Sequence, residues 1–148
     1  MNPDQALLAR FDGSPTVVDS NPLARALNTR MIALDRKAGT VTLTFEPGEQ
    51  FVQGRGVVQG GIVATMLDFA AAYAALASLP EGQSAATASL TVGFQSAVRL
   101  GVVTATGMVE RAGKRAIFTR AQLSDATSPL LASATAVMLV LPDRPAQG

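Results

Sequence analysis

The chain has 148 residues, 48% of them apolar and 16% charged, with a net charge of +1, which suffices for one domain with a real core and not for two. Near-neutral charge, scattered basic residues and few aromatics argue against nucleic acid as a partner. The chain also has no cysteine and no histidine, which excludes disulfides, thiolate nucleophiles, Ser-His-Asp systems, imidazole bases and the usual zinc sites. If the protein is an enzyme, carboxylates, hydroxyls, amides and backbone dipoles must do its work, and no metal is expected.

A single domain over 1–148 is expected, opening with a helical segment over 1–27. Asn2-Pro3 reads as a cap with proline at the first helical position, starting a short helix that runs to about Phe11. Asp12-Gly13-Ser14-Pro15 breaks it, and a second Asn-Pro at 21–22 starts one more turn through Leu27. These front pieces are expected to lie over the main body, and no chemistry is assigned to them. The N-terminus lacks a basic-then-apolar pattern, so no signal peptide is expected and the expected location is the cytoplasm.

Met31–Asp35 and Thr40–Phe45 read as two strands joined by a hairpin turn at Arg36-Lys37-Ala38-Gly39. In the second strand Val41, Leu43 and Phe45 alternate with threonines, the period of a half-buried strand. Glu46-Pro47-Gly48-Glu49 ends it, and the glycine-rich loop Gln53-Gly54-Arg55-Gly56 follows.

The longest apolar run comes next. It begins at Gln59-Gly60-Gly61, is rich in Ala, Leu and Met, and stops before Pro80, which predicts one long helix over about 60–78. Its length could suggest a membrane span. However, it is rich in alanine, has an acid near its middle and lacks basic flanks, so a buried helix in a soluble protein, with no membrane partner, is the reading taken. On a helical wheel Ile62, Met66, Phe69, Tyr73 and Leu76 share one stripe, expected to face a sheet. The opposite stripe holds Gly61, Ala64, Thr65, Asp68, Ala72 and Ala75, and Asp68 is its only charge. Spacing alone allows a structural acid or a functional one. A carboxylate in apolar company is costly unless it is paired, wet or used. The bare amides at Gly60 and Gly61, able to meet an anion or a polarised carbonyl, favour function.

Beyond Gln83 the period returns to two. Ala88, Leu90, Val92 and Phe94 alternate with Thr87, Ser89, Thr91 and Gly93. Gly101–Val109 and Arg115–Leu123 form a pair turning at Ala112-Gly113-Lys114, Leu130–Leu141 is the last strand, and 142–148 is a flexible tail. About six strands, mainly antiparallel, are therefore expected to curl around one long central helix: an α+β fold.

The pattern Gln53-x-x-Gly56-x-x-Gln59-Gly60-Gly61, with Asp68 seven residues further on and hairpin-linked strands behind it, resembles the hot-dog fold acyl-CoA thioesterases of the PaaI-like (phenylacetate-pathway) type. The likeness runs from about Asn28 to Leu141. It implies a hot-dog fold and hydrolysis of acyl-CoA to free acid and CoA, with no cofactor, since coenzyme A is part of the substrate. It implies Asp68 as general base or nucleophile, the Gly60 N–H as the group that polarises the thioester carbonyl, and Thr87 as a holder of the water. Gln59 stands where the family motif has His, and Gln53 where it has Asn. Both amides can donate a hydrogen bond, and neither can shuttle a proton. Gly56, Gly61, Thr65 and Phe94 join the expected substrate-binding set, with Met66, Phe69 and Met138 as candidates for an acyl pocket that ordinary core packing explains as well. Arg55 and Arg99, together with Arg111, Lys114 and Arg115, could meet the CoA phosphates.

Gly60 and Asp68 are eight residues apart, about 12 Å along a helix axis. One thioester carbon cannot lie within about 3 Å of both on one helix, so a homodimer with two shared sites is expected, with a dimer of dimers as the larger assembly. Two other readings are a non-catalytic acyl-CoA-binding protein on the same fold and a hot-dog hydratase or dehydratase, which usually pairs a histidine with its acid.

Overall fold

A computed structural model describes residues 2–142; the tail expected at 142–148 lies, beyond Pro142, outside the described residues. The elements in order are α1 (Pro3–Arg10), β1 (Thr16–Val17), α2 (Pro22–Ala26), β2 (Arg30–Asp35), β3 (Thr40–Phe45), a single 3-10 turn at Glu49–Phe51, α3 (Gly60–Ala77), β4 (Gln83–Phe94), β5 (Val103–Ala112), β6 (Ala116–Ser124) and β7 (Ala132–Pro142). Both short helices start as expected. Asn2 Oδ1 accepts from the Asp4 amide at 2.8 Å and Asn21 Oδ1 from the Ala24 amide at 2.8 Å, each with proline in the first turn.

All strands pair antiparallel in one sheet of order β1-β2-β3-β5-β6-β7-β4. Seven strands rather than six are present among the described residues, because the two-residue β1 adds to the edge at β2. No sequence period can mark so short a strand. At the other edge, among the described residues, the twelve-residue β4 pairs only with β7, and its outer side has no strand beside it. The sheet wraps α3, which is the hot-dog arrangement.

The stripe of α3 that the sheet buries is rotated from the expected one. Val63, Met66, Leu67, Ala70, Ala71 and Ala74 are buried, whereas Ile62 and Phe69 are only half-buried. The curl of the sheet covers more than one flank of the helix, so volume rather than hydrophobicity decides which side approaches most closely. Alanines do so at 70, 71 and 74, and Gly107 on β5 completes the fit: a Cβ there would overlap the Ala70 carbonyl. Ala75, expected on the open small-residue stripe, is also fully buried. Phe69 remains at the flank, stacked on Phe45 with ring centroids 6.3 Å apart.

α1 packs across the C-terminal half of α3. Leu7 and Leu8 enter the common core, each worth about 1.5–3 kcal/mol of burial. Gln5 Nε2 donates to the Pro80 carbonyl at 3.1 Å, and the Tyr73 hydroxyl donates to Asp4 Oδ1 at 2.5 Å. Arg36 fastens both helices, donating to the Ala77 carbonyl at 2.8 Å and the Leu8 carbonyl at 3.3 Å. A cation thereby meets the negative end of α3.

Candidate active site

The approach to α3 is a closed turn. The Gly56 amide donates to the Gln53 carbonyl at 2.9 Å and the Gln53 amide to the Val57 carbonyl at 2.8 Å, and Gly56 takes φ +80°, where a side chain would be strained. Gln53 Oε1 accepts from the Arg55 amide at 2.6 Å, which leaves its NH2 group as a donor. Val58 then donates to the Val98 carbonyl at 2.7 Å and fixes where the helix begins. Gln59 occupies the N-cap without a side-chain capping bond; its carbonyl accepts from the Ile62 and Val63 amides. Among the described residues, neither the Gly60 nor the Gly61 amide has an acceptor. The start of an eighteen-residue helix thus presents bare N–H groups and its positive dipole end.

A cavity of about 310 Å³ opens at this helix start, lined by Gln53, Val58, Gly60, Val63 and Phe94 among others. Phe94 is 58% exposed, and a Cβ at Gly60 would stand 3.5 Å from its ring edge. Thr65, in contrast, spends its hydroxyl on the Gly61 carbonyl of its own helix at 2.9 Å.

Asp68 belongs to a second cavity, about 170 Å³, on the flank of α3. Thr87 Oγ1 donates to Asp68 Oδ1 at 2.7 Å and touches Met138 Sδ at 3.3 Å. The pairing depends on a bulge. Ser89 is registered with Val137 and Thr87 with Met138, so Ala88 is the extra residue on β4. With unbroken alternation Thr87 would share the outer face with Ser89. The bulge instead turns it toward α3, beside the buried Met138.

The two cavities do not meet within one chain. Gly60, Gln59, Gln53, Gly56 and Phe94 gather at one end, while Asp68 and Thr87 stand two helical turns away. Arg55 and Arg99 are exposed near the helix start. Arg111, Lys114 and Arg115 lie in the β5–β6 hairpin, at the end of the sheet where β4 begins, so one chain does not assemble the five cations. Met66 and Met138 are fully buried and serve the core, whereas Phe69 does line the Asp68 cavity.

Residues to which the sequence assigned no chemistry complete that cavity. Asn2 and Asp4 of α1 form one wall with Tyr73 and Ala72 of α3. The only available signal was the single tyrosine of the chain, placed mid-helix among alanines. Burial, then the hydrogen bond to Asp4, pushes the Tyr73 hydroxyl well above the usual phenol range.

The family model described as thioesterase superfamily matches residues 55–132. No curated protein matches the chain. Among solved structures, the phenylacetic acid degradation-related protein of Ralstonia eutropha JMP134 is 26% identical with a TM-score of 0.80, covering 92% of this chain and 98% of that one. The E. coli PaaI protein from the phenylacetic acid degradation operon is 22% identical, with a TM-score of 0.75 over 83% of this chain and 86% of that one. A Streptococcus mutans UA159 protein, solved bound to acetyl-CoA, is 20% identical with a TM-score of 0.71 over 80% and 92% of the two chains.

Proposed function

The chain belongs to the thioesterase superfamily, and we propose that it hydrolyses acyl-CoA thioesters to the free acid and coenzyme A at sites shared between two protomers. The observation that carries this reading is that Asp68, held by Thr87 of β4, lies on the helix that opens with bare Gly60 and Gly61 amides.

The thioester carbonyl oxygen is placed at the start of α3, where the Gly60 N–H and the helix dipole stabilise the charge that develops on it. Thr87 holds Asp68 Oδ1, and Oδ2 faces the substrate. Asp68 takes a proton from water as the water oxygen bonds to the carbonyl carbon, or attacks that carbon itself to form an anhydride that water then opens. In either route the C–S bond breaks and the thiolate of coenzyme A leaves, gaining a proton. Gln59 and Gln53 act as fixed amide donors and turn anchors. With no imidazole in the chain, proton transfer rests on the carboxylate and water.

The unpaired edge of β4 supports a shared site. The first half of this strand passes beside Asp68, at Ala85 and Thr87, and its last residue, Phe94, lies beside Gly60. Antiparallel pairing of β4 with its copy about a twofold axis lays the Phe94 end of one strand along the Thr87 end of the other. That juxtaposition brings the bare amides of one helix toward the carboxylate of the partner, across the distance one chain cannot bridge. It also covers a twelve-residue edge that would otherwise invite uncontrolled pairing.

The test is incubation of the purified protein with a panel of alkyl and aryl acyl-CoA esters and a thiol reagent. Release of free coenzyme A above the blank for at least one ester, abolished by Asp68→Asn, is the expected result. Tight binding of the esters with no release would instead make the protein a non-catalytic acyl-CoA binder.

A further inference from the structure

The cavity beside Asp68 has a second carboxylate at its far wall. Asp4 lies there with Asn2, while Phe69, Ala72, Leu76 and Ala85 supply apolar sides. No cation lines it. The wall is firmly built: Asp4 Oδ1 accepts from the buried Tyr73 hydroxyl at 2.5 Å, its amide is capped by Asn2, and Leu7 and Leu8 of the same helix are buried in the core. Tyr73 is further held by Ser20 Oγ, 3.3 Å away. Among the described residues, none takes Asp4 Oδ2 or donates to it.

From this juxtaposition, and resting on the thioesterase reading above, we infer that the cavity receives the acyl group and that Asp4 is a specificity-determining residue, favouring acyl tails that end in a hydrogen-bond donor and rejecting tails that end in a carboxylate. The thioester carbon sits at the Asp68 end, so the tail runs along Phe69, Ala72 and Leu76 toward α1. A volume of about 170 Å³ holds about six non-hydrogen atoms at roughly 30 Å³ each. Asp4 lines the same volume, so a tail that fills it meets Asp4. A terminal hydroxyl or ammonium there donates to Oδ2 and replaces the water that the carboxylate loses on binding. An alkyl terminus makes no such replacement, and a terminal carboxylate meets a like charge in a partly dry site.

Three CoA esters of equal length test this: hexanoyl-CoA, 6-hydroxyhexanoyl-CoA and adipoyl-CoA. Binding is measured by calorimetry on the Asp68→Asn protein, which does not consume the ligands and leaves Asp4 as the only carboxylate among the described lining residues. The hydroxylated ester should bind at least about tenfold more tightly than adipoyl-CoA, with hexanoyl-CoA between them. In Asp4→Asn/Asp68→Asn that ratio should fall to about threefold or less, because the amide still accepts from Tyr73 and carries no charge. Tyr73→Phe/Asp68→Asn, which removes the hydroxyl that donates to Asp4 and keeps the charge, should still disfavour adipoyl-CoA. Equal affinities for the three esters, a ratio unchanged by Asp4→Asn, or no binding of any of them overturns the assignment. Turnover by the wild-type protein is a separate readout. Its absence with the binding order intact would overturn the hydrolase reading and leave the role of Asp4 standing.

Discussion

Thr87 Oγ1 donates to Asp68 Oδ1 at 2.7 Å, and a one-residue bulge at Ala88 turns the hydroxyl to the side of β4 that faces the helix. The bond holds one carboxylate oxygen and, in the proposed mechanism, leaves the other for the substrate. Charge-assisted bonds of this kind are worth about 1.5–3 kcal/mol, so Thr87→Val should lower kcat/KM about 10- to 100-fold while Thr87→Ser restores most of it. Asp68→Asn should cost at least about 10²-fold, the low end for removing a general base, with the fold intact by circular dichroism. Near wild-type turnover in Asp68→Asn would sink the assignment.

The proposed sharing of each site between two protomers would make two dead variants complementary. Gly60→Pro removes the N–H at the first helical position, where proline is tolerated, so the protein should fold and lose activity. Mixed after unfolding and refolding with Asp68→Asn, it should regain about a quarter of wild-type activity, because half the dimers are then mixed and each has one intact site of two. An active monomer in sedimentation, or no recovery on mixing, contradicts the shared arrangement.

Close packing of α3 on β5 predicts a steep local sensitivity. Gly107→Ala places a methyl group on the Ala70 carbonyl, and neither backbone can yield without moving a strand or the helix. Urea unfolding should show a loss at the upper end of about 1–3 kcal/mol, with enzymatic activity lowered in parallel as the helix shifts. Gly54→Ala meets nothing within 4 Å and serves as the control, expected within about 0.5 kcal/mol of wild type.

Tyr73 links stability to alkaline pH. Its folded-state ionisation lies above the ordinary phenol value of 10.0, owing first to burial and then to the bond with Asp4. A raised value means that the folded protein keeps the proton after the unfolded chain has released it. The contribution is therefore complete below pH 10 and declines as pH rises from there toward the folded-state value. Since Tyr73 is the only tyrosine and the chain has no tryptophan, phenolate absorbance reports this group alone. Folded protein should show little phenolate at pH 10 and unfolded protein about half. In Tyr73→Phe the corresponding alkaline loss of stability should vanish, and stability near neutrality should fall by about 1 kcal/mol for the lost hydroxyl bonds. Equal phenolate signals from folded and unfolded protein at pH 10 would contradict the buried pairing.

Neighbouring residues alone specify the local features: the two Asn-Pro helix starts, the hairpin at Arg36–Gly39, the span of α3 and the alternation of the flanking strands. Each rests on caps, turns or periods that a few neighbouring residues carry. The Gln59-Gly60-Gly61 start and Asp68 were legible in the same way, as were the bare amides, because helix geometry alone leaves the first N–H groups without partners. The tertiary structure decided the rest. Which flank of α3 is buried depended on the curl of the sheet and on Gly107, on a strand far along the chain. The face on which Thr87 emerges depended on how β4 registers with β7, since a bulge is a property of a pair of strands. Asp4 reached the Asp68 cavity only because Leu7 and Leu8 bury themselves against α3 and Tyr73, 69 residues away, takes hold of its carboxylate. No periodicity records a contact of that range, because burial and a single hydrogen bond act through space and leave the intervening sequence unmarked.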